Sequence, residues 1–275
     1  MLAQEAIDFI DEHHQRNLTY GTTTPFFLYY ASQSAHGPYT PPDTLLGEPV
    51  DKVTGLGTHS DMKYEIDVAL GKLIDALDER GLTNDTLIIF VSDNGGLTTV
   101  KELEAGHDAV GGLRGKKGLV WEGGHRIPFV ARWGDSTSES SHIPPGSVRH
   151  QLVGAHDLMA SLAALVGTDL PFEQARDSYN ILPVLLGTQP DSAPVRDHII
   201  SQADVGEGVW AYREAEWKLV LDADFRATDL YNLSTDLVEN DNLIGDPEHD
   251  VRVAGMLNRF VLHRGSDRTA PELSP

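Results

Sequence analysis

Residues 87–96 read Leu-Ile-Ile-Phe-Val-Ser-Asp-Asn-Gly-Gly, and this stretch sets the expected fold. The apolar run predicts a buried strand, and the polar residues after it predict a tight turn at the strand's carboxyl end. Ligands of open α/β sheets bind at that end of the strands. Asp93 and Asn94 offer oxygen donors there, which suit Ca²⁺ or Mg²⁺. Taken alone, the sequence Asp-Asn-Gly-Gly is also typical of an ordinary turn that binds no metal.

Around this stretch, helical and strand patterns alternate along the chain. Apolar residues recur at helical spacing in residues 3–15, 62–77 and 158–166, and short apolar runs at residues 26–31, 87–91 and 129–133 are typical of strands. Helices that alternate with buried strands predict an α/β domain, whose mixed, largely parallel sheet is flanked by helices.

The pattern changes at about residue 188. A Pro- and Ser-containing linker is followed by short strand patterns at residues 199–200, 209–213 and 217–221, and then by a closing helix at residues 251–263. Short strands joined by turns predict antiparallel pairing. We therefore expect two domains, an α/β domain over residues 1–187 and a small antiparallel α+β subdomain over residues 188–275. The acidic stretch at residues 229–243 lacks EF-hand spacing and is interpreted as solvated surface.

Two further segments carry candidate functional residues. Residues 112–128, here called the lysine loop, read GLRGKKGLVWEGGHRIP and are rich in glycine and cations within a very acidic chain. Glycines let a backbone approach an anion closely, and lysine is a compact point charge suited to an oxyanion. Residues 33–42, here called the histidine loop, follow the predicted strand at residues 26–31 and place His36 among stiffening prolines. A lone histidine of this kind is more often structural.

Taken together, the three segments resemble the sulfatases, a family of the alkaline-phosphatase-like superfamily. The resemblance covers nearly the whole chain and implies an alkaline-phosphatase-like fold, a divalent cation (usually Ca²⁺, with Mg²⁺ as the alternative) and the hydrolysis of sulfate esters. It implies that Asp93 and Asn94 ligate the cation. It also implies that Lys117 contacts the sulfate, because the spacing to Trp121-Glu122 favours Lys117 over its neighbour Lys116.

The same resemblance assigns roles to two histidines. His36 would hydrogen-bond the sulfate or protonate the leaving oxygen, and His107 is a weaker candidate for the substrate pocket. This chemistry suits the residue types, since a metal and a lysine stabilise negative charge on sulfuryl oxygens and a histidine can donate a proton. The residues account for binding and leaving-group assistance, but they supply no nucleophile.

The nucleophile is where the sequence departs from the family. Sulfatases carry Cys or Ser in a Cys/Ser-x-Pro-Ser-Arg motif, which is converted to formylglycine, and they carry a further Asp-Asp metal pair. This chain has no cysteine, and its one partial match, Ser-Ala-Pro-Val-Arg at residues 192–196, has Val in place of Ser and is interpreted as a linker. We therefore expect this chain alone to bind the metal weakly and to hydrolyse nothing, because Ca²⁺ prefers about six to eight oxygen ligands.

Composition excludes several classes of partner. The chain has 275 residues and a formal net charge of −21, and this charge argues against nucleic-acid binding because phosphate contacts need basic surface. The N-terminus has no basic region or long apolar run and therefore does not read as a signal peptide, and no stretch is apolar enough to span a membrane. Relatives of the family are often periplasmic, secreted or lysosomal, so the sequence leaves the location open.

Three alternatives to a sulfatase stay open at this point. One is a phosphodiesterase or phosphatase of the same superfamily, although the Trp-Glu-Gly-Gly-x-Arg-x-Pro signature favours a sulfatase. Another is a non-catalytic protein that binds a sulfated small molecule or sulfated glycan. The third is a fragment that associates with itself or with a separate N-terminal partner through uncovered surface.

Overall fold

The computed structural model describes residues 2–135, 137, 141–171, 173–204 and 208–266. The chain forms two compact units, each described by itself. The first unit comprises Met1–Leu87, Thr98–Asp108 and Trp133–Ser141, and the second comprises Ile88–Leu97, Ala109–Arg132 and His142–Pro275.

The first unit is built on two long helices, α1 (Leu2–Tyr20) and α2 (Thr58–Glu79). A minimal hairpin of β1 (Thr44–Leu45) and β2 (Glu48–Pro49) lies between them in the sequence, and the short helix α3 (Val100–Glu104) follows later in the chain. Small and branched aliphatic residues form one buried core cluster of this unit: Ala3, Leu45, Val50, Val68 and Ala69. Both long helices are confirmed where the apolar spacing predicts them.

The predicted strand at residues 26–31 is wrong. In the described structure no strand is assigned between α1 and β1, although the exposure of residues 26–31 alternates as it would in a strand. Phe27 and Tyr29 are 70% and 80% exposed. The reason is that a strand exists only where a neighbour completes its ladder, and no described segment pairs with this one. The alternation of side chains was therefore not enough to predict a strand at residues 26–31.

The second unit contains the strand that opened the sequence analysis. Strand β3 (Leu87–Val91) pairs with β4 (Phe129–Trp133), and both match the predicted ranges. The one-turn helix α4 (Glu122–His125) precedes β4. The Ser92 N–H donates to the Pro128 carbonyl at 3.3 Å, so the turn after β3 lies beside the entry to β4. The largely parallel character of the expected sheet stays a prediction.

The remainder of the second unit carries an antiparallel sheet of four strands in the order β5-β6-β7-β8. Its core is apolar and packs against the last helix: Tyr212, Leu219, Leu221, Leu230, Met256 and Phe260. The elements are α5 (Leu158–Leu165), α6 (Leu182–Leu185), β5 (His198–Gln202), β6 (Trp210–Glu214), β7 (Trp217–Leu221), β8 (Ala227–Asn232) and α7 (Asp250–Ser266). The antiparallel strands and closing helix are confirmed, while the domain boundary at residue 187 stays a prediction.

The acidic stretch at residues 229–243 is only partly the solvated surface that was predicted. Leu230 and Tyr231 in β8 are buried, and Glu239 is fully buried. Buried carboxylates persist when they are paired, so this exception indicates a charged partner inside the unit. Among the described residues, no helix combines the length and apolar character that a membrane crossing needs.

Candidate active site

Glycine backbones bring the turn after β3 into contact with the lysine loop. The Gly95 N–H donates to the Gly124 carbonyl at 2.9 Å, and a Cβ on Gly95 would lie 2.1 Å from the Gly123 oxygen. A Cβ on Gly124 would lie 2.0 Å from the Leu119 oxygen. No side chain fits at such distances, so glycine is needed at these positions for close backbone approach. The glycines at these positions admit another backbone segment, and the predicted approach of an anion stays a prediction.

This contact forms the wall of a cavity of about 330 Å³ in the second unit. The cavity is lined by the turn after β3, the lysine loop and the end of β5: Asp93, Asn94, Lys117, Gly118, Leu119, Gly124, His125, Ser201, Gln202 and Asp204. The structure therefore brings together three of the candidate residues, Asp93, Asn94 and Lys117. Its size falls in the range of small-molecule sites.

Asp93 and Asn94 have the donor chemistry of a hard-cation site. The carboxylate and the side-chain amide both supply oxygens, and both residues line the cavity. Asn94 Nδ2 donates to Asp93 Oδ1 at 2.9 Å, while the Ser92 hydroxyl donates to the Asn94 carbonyl at 2.9 Å. The turn is thus held by its own side chains. These two residues have the oxygen donors that such a cation prefers, and they supply part of the coordination number of Ca²⁺.

Lys117 and Lys116 differ in their surroundings. The Lys117 N–H donates to the Gly96 carbonyl at 3.1 Å, and its side chain is half-buried at the cavity. Lys116 is exposed and does not line the cavity. The Gly118 carbonyl accepts from the Asp204 N–H at 2.9 Å, which ties this part of the loop to the end of β5. The geometry supports Lys117, rather than Lys116, as the cation that faces a ligand.

A buried ion cluster of Glu122, Lys218 and Glu239 supports the lysine loop from behind. Lys218 Nζ donates to Glu122 Oε1 at 3.1 Å and lies 2.7 Å from Glu239 Oε1, and all three side chains are fully buried. Glu239 Oε2 accepts from the Glu122 N–H at 2.7 Å. Burial acts to raise the pKa of Glu122, but the positive charges of Lys218 and Arg213 outweigh it, and the pKa lies below its ordinary value. Glu122 is therefore a carboxylate at neutral pH.

Arg114 gives the loop a second attachment to the C-terminal sheet. Its guanidinium stacks 3.5 Å from the centre of the Trp121 ring, and it donates to the Tyr231 hydroxyl at 2.8 Å and to the Glu239 carbonyl at 2.9 Å. The Gly123 N–H donates to the Arg114 carbonyl at 2.8 Å. The start and the end of the lysine loop are thus fixed to each other and to β8.

His125 is a cavity residue that the sequence reasoning did not single out. Its Nε2 lies 2.9 Å from the Val120 carbonyl oxygen and 3.1 Å from Lys218 Nζ. Burial, together with the positive charge of Lys218, lowers the pKa of His125 to about 4. The ring is neutral at physiological pH, so it offers hydrogen-bonding capacity to the cavity without adding a cation.

The other two candidate residues belong to the first unit. His36 is exposed, and its Nδ1 lies 3.0 Å from the Gly37 carbonyl oxygen. His107 follows α3, is partly buried, and its backbone N–H donates to the Glu102 carbonyl at 2.8 Å. Neither lines the cavity of the second unit, so their assigned roles stay predictions.

The partial formylglycine-like match at residues 192–196 has a structural role. Arg196 is buried and donates to the Asp157 carboxylate at 2.9 Å and to the Asp177 carbonyl at 2.7 Å. Asp157 also accepts from the backbone N–H groups of Gly154 and Tyr179. This arginine is committed to holding the loops around α5, which is consistent with the linker interpretation.

Sequence reasoning missed the buried ion cluster because its members are far apart in the chain. Glu122 and Lys218 are separated by 96 positions, and nothing near Glu122 in the sequence identifies its partner. One local signal was available. Lys218 lies in the apolar run Trp-Lys-Leu-Val-Leu of β7, and a lysine there needs a buried partner.

Comparison with known families places most of the chain in one group. A model of the Sulfatase family matches residues 2–168. The chain is 31% identical over 282 aligned residues to an N-acetylgalactosamine-6-O-sulfatase of Bacteroides thetaiotaomicron, covering 96% of this chain and 51% of that protein. It is 35% identical over 242 residues to arylsulfatase A of Homo sapiens, covering 80% and 45%. The chain thus spans about half the length of these curated relatives.

Solved structures agree with this result. A Bacteroides thetaiotaomicron protein described under the metabolism of multiple glycosaminoglycans superposes with a TM-score of 0.74 at 28% identity, over 95% of this chain and 54% of that one. The protein Ps i-CgsB, in complex with k-i-k-neocarrahexaose, superposes with a TM-score of 0.75 at 27% identity, over 98% and 55%.

Proposed function

The chain belongs to the sulfatase family, and from this premise we propose that it carries the sulfate-binding and cation-binding part of an enzyme that hydrolyses sulfate esters. The observation that supports the proposal is the convergence of Asp93, Asn94 and Lys117 on one cavity. A cation-binding pair and a lysine on one wall match the charge that develops on sulfuryl oxygens.

Each residue has a distinct part in this proposal. Lys117 binds the sulfate oxygens through its ammonium group, and the buried ion cluster holds the loop that carries it. Asp93 and Asn94 would hold Ca²⁺, or Mg²⁺ in its place, which when bound supplies positive charge to the ester oxygens. His36 donates a hydrogen bond or a proton to the leaving oxygen, and His107 contributes to the substrate pocket. The sequence holds only the partial match to the formylglycine motif at residues 192–196, so in this proposal these 275 residues supply no nucleophile.

The substrate class that we propose is a sulfated glycan. The related Bacteroides thetaiotaomicron protein is named for N-acetylgalactosamine-6-O-sulfate, and the related Ps i-CgsB structure holds a carrageenan-type oligosaccharide. The cavity of about 330 Å³ lies at the lower end of the range of small-molecule pockets, which favours one sugar unit over a longer chain inside it. Neutral His125 and the polar residues Ser201 and Gln202 offer hydrogen bonds suited to sugar hydroxyls.

The test is a titration of the chain with N-acetylgalactosamine 6-sulfate and with unsulfated N-acetylgalactosamine, in the presence of Ca²⁺. We expect the sulfated sugar to bind at least about tenfold more tightly, because a charged hydrogen bond contributes about 1.5–3 kcal/mol. Lys117→Met should remove this preference. Lys116→Met is the matched control, since it deletes the same charge one residue away and outside the cavity.

Two outcomes would overturn parts of the proposal. Equal losses of affinity in Lys117→Met and Lys116→Met would show a diffuse electrostatic effect rather than a sulfate site. Measurable release of 4-nitrophenol from 4-nitrophenyl sulfate by this chain alone would contradict the assignment of the nucleophile to residues outside it. Binding without turnover is the expected result.

A further inference from the structure

A second cluster of ligating side chains lies in the second unit and shares no residue with the cavity. It consists of Asp197, His198 and His263, here called the histidine–aspartate cluster. Each offers one ligand atom, and these atoms all lie within 4.8 Å of one another. Asp197 and His198 stand at the start of β5, whereas His263 lies in the last turn of α7. The cluster therefore joins two elements that are distant in the sequence.

The contacts within the cluster are close and specific. Asp197 Oδ1 lies 2.6 Å from His198 Nδ1, and the two imidazole rings stack with centroids 3.7 Å apart and planes inclined by 20°. The Tyr212 hydroxyl lies 3.2 Å from His263 Nδ1. A hydrogen-bonding group on one ring nitrogen fixes the orientation of a histidine and directs the other nitrogen to a ligand.

We propose that the histidine–aspartate cluster binds a borderline divalent cation of the Zn²⁺ class. Two imidazole nitrogens and one carboxylate are a common three-residue donor set for Zn²⁺, and water completes the fourth position. Hard cations such as Ca²⁺ prefer oxygen donors throughout, so this set distinguishes the cluster from Asp93 and Asn94. Zinc ligation places donor atoms about 3.3 Å apart, from bonds of about 2.0–2.1 Å. The donor atoms here lie within 4.8 Å of one another, so binding requires the side chains, including the stacked rings, to reorient.

The surroundings favour a cation at this position. Arg196, the residue before Asp197, is bound to Asp157, and Arg259 on α7 donates to Glu214 at 2.6 Å, so each of these two guanidinium groups has a carboxylate partner. The Asp197 side chain is 71% exposed and that of His198 is 16% exposed, which leaves one open side for water. The sequence has no cysteine, so no thiolate elsewhere in the chain competes for the ion.

The test is a calorimetric titration of the chelator-treated chain with Zn²⁺, followed by Co²⁺ absorption as a report of tetrahedral nitrogen and oxygen ligation. We expect one tight equivalent of Zn²⁺ and a rise in melting temperature, because a ligand of the native state stabilises it. Asp197→Asn and His263→Gln should each weaken binding by at least about tenfold. His150→Gln is the matched control, since His150 is exposed and outside the cluster.

Three outcomes would overturn the proposal: no tight equivalent, equal affinity in His263→Gln and His150→Gln, or loss of Zn²⁺ binding in Asp93→Asn. The last would assign the ion to the cavity instead. Should His263→Gln lose its fold, as judged by circular dichroism, Asp197→Asn decides alone, because its side chain is exposed and its replacement leaves the core unchanged.

Discussion

The lysine loop and the histidine loop both carry residues of the proposed function, but the two loops differ in the contacts that hold them. In the lysine loop, Glu122 is fully buried within an ion cluster and the Gly123 N–H donates to the Arg114 carbonyl at 2.8 Å. In the histidine loop, His36 is exposed and its ring contacts only the adjacent Gly37 carbonyl, at 3.0 Å, among the contacts described. The segment before it also has no strand partner within the part of the chain that the structure describes.

The difference is that the lysine proposed to bind sulfate lies on a loop held by buried contacts, whereas the histidine proposed to donate a proton is exposed. A lysine that must meet a fixed sulfate benefits from a rigid loop, since the donors then need no reorganisation on binding. This loop is held by Lys218 of β7 and by Glu239, which follows β8 in the chain. Lys218 Nζ lies 3.1 Å from His125 Nε2, and Glu239 accepts from the Glu122 N–H at 2.7 Å. The position of the lysine loop therefore depends on residues that lie outside the sequence motifs.

The strongest test of this contrast removes the cation at the centre of the ion cluster. Lys218→Met should lower the free energy of unfolding by about 3–5 kcal/mol, because two buried carboxylates lose their compensating charge. His36→Ala should leave the unfolding midpoint in urea unchanged. Lys72→Met is a second control, because Lys72 forms an ion pair at the surface with Glu48. Equal midpoints for Lys218→Met and Lys72→Met would contradict the supporting role.

A buried carboxylate in the first unit gives a comparison for the ion cluster. Glu102 is fully buried and accepts hydrogen bonds from Ser60, Lys63 and the Thr99 N–H. We expect Glu102→Gln to cost about 2–3 kcal/mol, because charge-assisted bonds are replaced by weaker ones. Urea unfolding at pH 7 measures this loss. A cost well below 1 kcal/mol would show that these contacts do not favour the ionised form.

The same residue predicts a pH dependence. Burial acts to raise the pKa of Glu102, but its hydrogen bonds with Ser60, Thr99 and Lys63 outweigh burial and hold the pKa well below the ordinary value of 4.5. Its stabilising contribution is complete above that ordinary value and is lost as the pH falls towards the lower folded value. The difference in stability between the native chain and Glu102→Gln should therefore narrow below pH 4.5. A constant difference down to acid pH would contradict the shift.

A glycine pair tests whether close backbone approach, rather than flexibility, is needed in the lysine loop. Gly95→Ala should destabilise by about 1–3 kcal/mol, because the new Cβ would meet backbone atoms of Gly123 and Gly124. Gly71→Ala in the interior of α2 has nothing within 4 Å and should stabilise by about 0.5–1 kcal/mol. Thermal denaturation should show a lower melting temperature for Gly95→Ala and a higher one for Gly71→Ala. Shifts of the same sign in both variants would contradict this explanation.

The smallest expected effect is spectroscopic. The ring resonances of His125 should titrate with a midpoint of about 4, because burial and the charge of Lys218 disfavour its protonated form. This lowered pKa means that stability falls as the pH drops from 6.5 towards 4, since the unfolded chain takes up the proton first. Arg213→Met should raise the midpoint slightly by removing a further cation. A midpoint near 6.5 would show that the ring is solvated.

The sequence was sufficient to predict the strands and helices whose residue pattern is local. The strands Leu87–Val91 and Phe129–Trp133 match the predicted ranges, and α2 and α7 extend the predicted helices by a few residues. Spacing to Trp121-Glu122 was also enough to prefer Lys117 over Lys116, and the cavity lining agrees with that preference. These features depend on neighbours a few positions away.

Features that depend on distant partners could not be predicted in this way. The extended segment at residues 26–31 has the side-chain alternation of a strand, but whether it becomes one depends on a pairing partner that its own residues do not specify. The sequence pattern places Glu239 on a polar surface, because its partner Lys218 lies in β7, about 20 positions earlier in the chain. Buried charge pairs of this kind leave only a weak local signal.

The link from Glu122 to Lys218 also sets an order of events during synthesis. The two residues are 96 positions apart, so Glu122 is translated well before the lysine that neutralises it. At about 5–20 residues per second, roughly 5–20 seconds pass before Lys218 is made. During that interval the lysine loop has its glycines and its own cations, but Glu122 lacks the positive charge of Lys218. The loop therefore acquires its final form only after β7 leaves the ribosome.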